Sequence, residues 1–244
     1  VDCIFLDPAR RNEHGGKTVA ISDCEPNVAK LEGLLLSKAN RIMIKLSPML
    51  DLSQALKELP HTQEVHIISV NNECKELLLL LGQTAPEEIP VHCVNLSTKG
   101  EQEKQLFVFT REQEQHSECS YTDTLGNYLY EPNASLLKAG AFRSIAAAYS
   151  VKKLHPNSHL YTSETQIEGF PGRTFRIINR CSLNKKEIKE NLSDLKKANI
   201  TVRNFPATVA ELRKRIKLAE GGDTYLFAST LNDGQKILIR CGKV

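Results

Sequence analysis

The sequence predicts an α/β protein: a doubly wound sheet first, then a small, mostly helical region, then a compact βαβαββ unit. Three observations carry this. Over the first hundred-odd residues, short apolar runs alternate with helical stretches, the pattern of parallel βαβ units covered on both faces. A polar stretch from about Gln113 to Glu118 interrupts that alternation and reads as a linker. The last 70 or so residues carry helix-start and hairpin signals at the spacing of a small α/β domain.

In order along the chain, VDCIFL reads as a buried strand, NVAKLEGLLLSKA as a helix and RIMIKL as a second strand. DLSQALKEL is a helix opened by the N-cap acid Asp51. EVHIISV is a third strand, CKELLLLLG a short helix ended by Gly82, VHCVNL a fourth strand and QLFVFT a fifth. With no long helix between them, the last two strands are expected to pair antiparallel at the sheet edge. After the polar stretch comes an extended aromatic segment, GNYLYEP. An alanine-rich helical run then begins near Pro132 and Asn133 and is stopped by Pro156. RTFRIINRCS is again a strand, and Asn184 to Glu187 is a capping-box pattern opening a helix. ITVRNF is a strand, and Thr208 to Glu211 opens a second helix that Gly221 and Gly222 end. TYLFASTL and QKILIRC flank the hairpin signal Asn232-Asp233-Gly234. The expected domains are 1–112, 118–172 and 173–244.

The 244 residues are 41% hydrophobic and 25% charged, the balance of a folded, water-soluble chain. No apolar run approaches the roughly 18–20 residues needed to cross a bilayer, and a cytoplasmic location is expected. The seven cysteines are odd in number and contain no CxxC pair, which argues against a disulfide framework and a zinc knuckle. Charge is uneven: residues 173–244 hold 16 Lys and Arg against 7 Asp and Glu, a balance of +9, and the rest hold 16 against 22, a balance of −6. That asymmetry points to a polyanion-binding domain on a more acidic body.

Ligands of doubly wound folds sit beyond the carboxyl ends of strands, where the first strand runs into Asp7-Pro8-Ala9-Arg10-Arg11. Asp7 can accept hydrogen bonds from an amino group, Pro8 fixes the backbone, and small Ala9 admits a ligand. Arg10 and Arg11 suit a phosphate or the face of a base.

These residues carry a resemblance. A buried strand ending in DPAR, a glycine-containing loop with Gly15 and Gly16, and KLSP after the next strand resemble the second half of a class I, Rossmann-like S-adenosylmethionine-dependent methyltransferase. YLYEPNASLLKAGAF, VRNFP, ELRKRIKLAEGGD and YLF look like a bacterial methyltransferase family with a C-terminal THUMP-like domain. The resemblance implies a methyltransferase acting on a base in RNA, with catalytic Asp7 and Pro8 and substrate contacts from Ala9, Arg10, Arg11, Lys45, Ser47 and Pro48. It implies S-adenosylmethionine as cofactor, bound largely by a preceding half-sheet, so that the chain is expected to be a carboxyl-terminal fragment, inactive alone. Two departures stand out. Amino-methylating relatives carry a second proline and then an aromatic residue where this chain has Ala9 and Arg10. Enzymes that make 5-methyluridine carry a cysteine where Leu46 stands, which argues against covalent attack on a pyrimidine.

THUMP domains bind RNA, so resemblance and charge both point to Lys185, Lys186, Arg203, Arg213, Lys214, Arg215 and Lys217 as RNA contacts, with a salt-sensitive grip on phosphate. The competing readings are a non-catalytic RNA-binding or interaction module, and a methyltransferase acting on a protein or small molecule. No metal site is expected: Pro156 breaks the helix that a His155–His159 pair would need. His66 and His92 fall in strands and read as packed or edge residues.

Overall fold

A computed structural model describes residues 1–10, 20–98 and 104–244. The chain divides into two compact units, residues 1–116 with 133–141, and residues 117–132 with 142–244.

The first unit contains β1 (Cys3–Leu6), β2 (Ala9–Arg10), β3 (Cys24–Glu25), α1 (Val28–Leu36), β4 (Arg41–Leu46) and α2 (Leu52–Glu58). There follow β5 (Thr62–Val70), β6 (Glu73–Leu81), β7 (Pro90–Leu96), β8 (Lys104–Thr110), α3 (Arg111–His116) and α4 (Ala134–Ala139). Its main sheet has the order β1-β4-β6-β5-β7-β8, and β2 and β3 form a small ribbon. The sheet is mixed rather than parallel: β1 runs with β4 and β5 with β7, whereas β6 opposes both of its neighbours. β7 and β8 pair antiparallel at the edge.

The expected helix CKELLLLLG is strand β6. Asn71 and Asn72 take left-handed φ values of 50° and 64°, making a two-residue turn that sends the chain straight back along β5. A parallel return needs a crossover of a dozen residues or more, so so short a turn forces an antiparallel strand. β6 fills the slot between β4 and β5, where Leu79 pairs with both Ile44 and Val65. Leu77, Leu79 and Leu81 are fully buried, while Leu78 and Leu80 lie half buried on the other face. An unbroken leucine run has no period, and pairing on both edges overrides leucine's helix preference.

α1 is capped by Asn27, α2 by Asp51 through Gln54 N at 2.8 Å, and α4 by Asn133. α4 packs on β5, β6 and β7. Its start is pinned by side-chain amides: Ala134 N–H donates to Asn72 Oδ1 at 2.8 Å, Asn133 Nδ2 to Gln105 Oε1 at 3.0 Å, and Asn95 Nδ2 to the same Gln105 oxygen at 3.2 Å. The expected linker is helical as far as His116, because Thr110 and Gln113 exchange hydrogen bonds at its first turn.

The second unit contains β9 (Tyr128–Pro132), α5 (Phe142–Tyr149), β10 (Lys152–Lys153), β11 (Tyr161–Ser163), β12 (Gly172–Cys181) and α6 (Lys185–Leu192). β13 (Asn199–Val202), α7 (Val209–Ile216), β14 (Thr224–Thr230) and β15 (Lys236–Lys243) complete it. From β12 onward the order is βαβαββ, and residues 118–172, expected to be mostly helical, add three strands. All seven strands share one sheet, β10-β11-β9-β12-β15-β14-β13. The alanine-rich helix is two helices: Gly140, at φ 74°, ends α4, and α5 stops at Tyr149 before Ser150 at φ 52°, well short of Pro156.

Alternation along β14 divides the core. Leu226 and Ala228 join Leu192 of α6 and Leu212 of α7 on one face, and Phe227 joins Leu129, Leu160 and Phe175 on the other. α7 has the full capping box between Thr208 and Glu211. At α6 the Glu187 carboxylate instead takes the Ser182 N–H. α7 ends at Lys217, whose left-handed φ of 63° turns the chain out of the helix while its N–H still bonds Arg213 O; the glycine pair Gly221-Gly222 lies beyond the helix.

Candidate active site

Parallel β1 and β4 deliver two turns to the same end of the sheet. Leu6 pairs with Ile44, so one step further on Asp7 comes beside Lys45. Ile44 and Leu46 point into the core and Lys45 therefore to the other face. Lys45 Nζ lies 2.6 Å from Asp7 Oδ2 and 3.7 Å from Glu76 Oε1. The hydrogen bond to Asp7 is the main reason the Lys45 ammonium is held above its ordinary pKa; the Asp7 and Glu76 charges add to it and partial burial opposes it. Pro8 is buried and fixes the turn, leaving Asp7 and Ala9 exposed. On the β4 side, Ser47 Oγ accepts the Met49 N–H at 3.2 Å and Ser47 O the Leu50 N–H at 3.1 Å, which closes the turn around Pro48.

These turns enclose an open cleft of about 290 Å³ lined by Asp7, Pro8, Ala9, Lys45, Ser47 and Pro48, together with Cys24, Leu46, Lys75 and Glu76. The volume lies at the lower edge of the roughly 300–1,000 Å³ typical of small-molecule sites, room for one base-sized ring. The structure thus brings six of the eight sequence-predicted site residues to one cleft. Arg10 contributes its backbone to β2, and Arg11, like Gly15 and Gly16, lies outside the described residues. Sequence reasoning missed Cys24, Lys75 and Glu76. Cys24 arrives by pairing with Arg10 across the β2–β3 ribbon, and the other two arrive because β6 is a strand.

The basic residues of the second unit sort into two kinds. Arg203 donates to Glu131 Oε1 at 2.8 Å and to Val202 O at 3.0 Å, sharing the buried Glu131 carboxylate with Arg173. Arg213 donates to Ala198 O at 3.1 Å, and Arg215 to Leu183 O at 2.8 Å. These arginines tie the unit together. Lys185, Lys186, Lys214 and Lys217 are exposed on the layer formed by α6 and α7. The Arg215–Leu183 bond sets the last turn of α7 beside the start of α6, so the lysines lie along one helical layer.

Fold and cleft describe an α/β protein with a polar cleft at the ends of parallel strands, followed by a sheet unit with a basic helical layer. Residues 128–171 match the family model of a ferredoxin-like domain, and residues 172–243 that of a THUMP domain-like family. The chain also matches the crystal structure of a "putative methyltransferase from Porphyromonas gingivalis W83", with 41% identity and a TM-score of 0.90 over 100% of this chain and 60% of that one. The chain therefore spans about three-fifths of the length of the protein it resembles. No curated protein matches it. Together the matches support a likeness to methyltransferase-like proteins that contain a THUMP-like domain.

Proposed function

We propose that this chain belongs to a cytoplasmic S-adenosylmethionine-dependent methyltransferase that modifies a base in RNA, with the acceptor base seated in the Asp7–Lys45 cleft. The observation that carries the reading is the convergence of the Asp-Pro turn after β1 with the Ser-Pro turn after β4 on one base-sized cleft. The match to a methyltransferase supports the class of reaction, and the THUMP domain-like match together with the exposed lysines of α6 and α7 supports RNA as the substrate.

When bound, S-adenosylmethionine supplies an electrophilic methyl group. Among the described residues no glycine lines the cleft, and its walls offer two acids and two lysines rather than a backbone cradle for a nucleoside. The described residues of the cleft thus fit the acceptor side better than a cofactor seat. Pro8 holds the turn rigid. Lys45 pairs with one oxygen of the Asp7 carboxylate, and in this reading the other accepts a hydrogen bond from the base. Glu76 offers a second acceptor across the same ammonium.

The test is methyl transfer from labelled S-adenosylmethionine to total RNA by the full-length product of the gene. Asp7→Ala is expected to lower the rate by 100-fold or more, within the range of a positioned acid–base group, with RNA affinity unchanged. Full activity in that variant removes Asp7 from the site. RNA binding without methylation by the unaltered protein leaves a binding module in place of an enzyme.

A further inference from the structure

We propose that Glu64, His66 and His92 form a site for a divalent first-row transition ion on the half-buried face of the first unit's sheet. His66 on β5 and His92 on β7 are direct partners in a parallel ladder, and Glu64, two residues before His66, projects from the same face. One carboxylate oxygen faces both rings: Glu64 Oε2 lies 3.1 Å from His66 Nε2 and 3.9 Å from His92 Nε2. One ligand atom from each residue falls within 4.8 Å of the other two. Ligands of a tetrahedral ion with bonds of about 2.0–2.1 Å stand about 3.3 Å apart, so the three ligand atoms already lie near the spacing an ion requires. The rings are stacked with centroids 4.3 Å apart and planes 9° from parallel. Turning them edge-on toward a common point is the one rearrangement that binding requires.

The chemistry of the donors selects the ion. Two imidazoles and one carboxylate suit zinc, nickel, cobalt or copper, whereas magnesium and calcium prefer oxygen ligands throughout. The side chains are 44%, 27% and 26% exposed for Glu64, His66 and His92, which leaves solvent access for a fourth, water ligand. Apolar partners flank the donors, Leu78 opposite His66 and Val108 opposite His92. The ladder also fixes where the ion sits. Lys45 pairs with Leu78, Leu78 with His66 and His66 with His92, so the ion shares a sheet face with the cleft, between two and three strand spacings or about 10–14 Å from Lys45.

The test is titration of the protein with nickel or cobalt chloride, followed by calorimetry and, for cobalt, by its visible absorption spectrum. The expected result is one equivalent bound with nitrogen and oxygen ligation, and affinity reduced tenfold or more in each of Glu64→Gln, His66→Gln and His92→Gln. His155→Gln and Cys3→Ser should bind as the unaltered protein does. A thiolate-to-cobalt charge-transfer band, or equal affinity in all three site variants, overturns the proposal. Thermal melts without metal identify any histidine variant that fails to fold. Glu64→Gln, at the most exposed of the three positions, then decides the matter alone.

Discussion

At the scale of single residues, His159 shows how surroundings set a proton affinity. Its ring stacks on Phe142 with centroids 3.7 Å apart, its Nδ1 is buried without a hydrogen-bond partner among the described residues, and its backbone is left-handed at φ 51°. Burial first, then the Lys153 and Arg203 charges, push its pKa down to about 4. An unfolded chain titrates this group near 6.5, so between pH 6.5 and about 4 the unfolded state binds the extra proton. The stability His159 contributes is complete above pH 6.5 and is lost as pH falls toward 4. His159→Asn, which tolerates the left-handed backbone, removes the titration. The expected outcome is a shallower fall of the melting temperature across that window than in the unaltered protein. Parallel curves would show that His159 is not responsible. The Asp7–Lys45 pair is the contrasting case, an exposed contact whose value is orientation rather than stability.

At the scale of elements, β6 separates what sequence pattern reveals from what pairing decides. A helix would set Leu77 and Leu79 on nearly opposite faces; as a strand, Leu77, Leu79 and Leu81 share the buried face and Leu78 and Leu80 the other. Leu79→Ala should therefore destabilise by about 2–5 kcal/mol and Leu78→Ala by clearly less, read from denaturant melts. Equal losses would contradict the strand. The βαβαββ order of the last unit was legible because caps, hairpin turn and apolar periodicity agree there, as they do at Thr208 and at Asn232-Asp233-Gly234. Asp7, Pro8, Ala9, Lys45, Ser47 and Pro48 were legible because turns after β1 and β4 must emerge together once those strands are parallel neighbours. Glu76 and the Glu64–His66–His92 cluster were not. Their positions depend on which strands become neighbours, and the Asn71-Asn72 turn that sets this reads in sequence as two polar residues ahead of an apparent helix. Lys217 was missed as a helix end for the opposite reason: glycines four and five residues further on offered a stronger local signal than a lysine in left-handed conformation.

At the scale of the whole molecule, the charge split of −6 against +9 acquires a structural meaning once the arginines are separated from the lysines. Arg203 is committed to the buried Glu131, whereas Arg213 and Arg215 reach backbone carbonyls, which anchor a guanidinium without cancelling its charge. Lys185, Lys186, Lys214 and Lys217 on α6 and α7 are exposed, Lys186 with Glu190 4.0 Å away, and Arg176, Arg180, Lys189, Lys196 and Lys197 are also exposed in the same unit. Binding that rests on phosphate contacts weakens with salt, with a slope of about 0.7 per contact for single strands and about 0.9 for a B-form duplex. Replacing Lys185, Lys186, Lys214 and Lys217 together by Gln should lower the slope for a single-stranded RNA by about 2–3 while the melting temperature stays within a few degrees. Arg203→Gln should do the reverse, leaving the slope in place and lowering the melting temperature, because the buried Glu131 then relies on Arg173 alone. Fluorescence anisotropy across a salt series, beside thermal melts of the same proteins, measures both quantities. If the lysine variant keeps its slope, RNA does not engage this helical layer. If Arg203→Gln loses slope without losing stability, its guanidinium faces phosphate rather than Glu131.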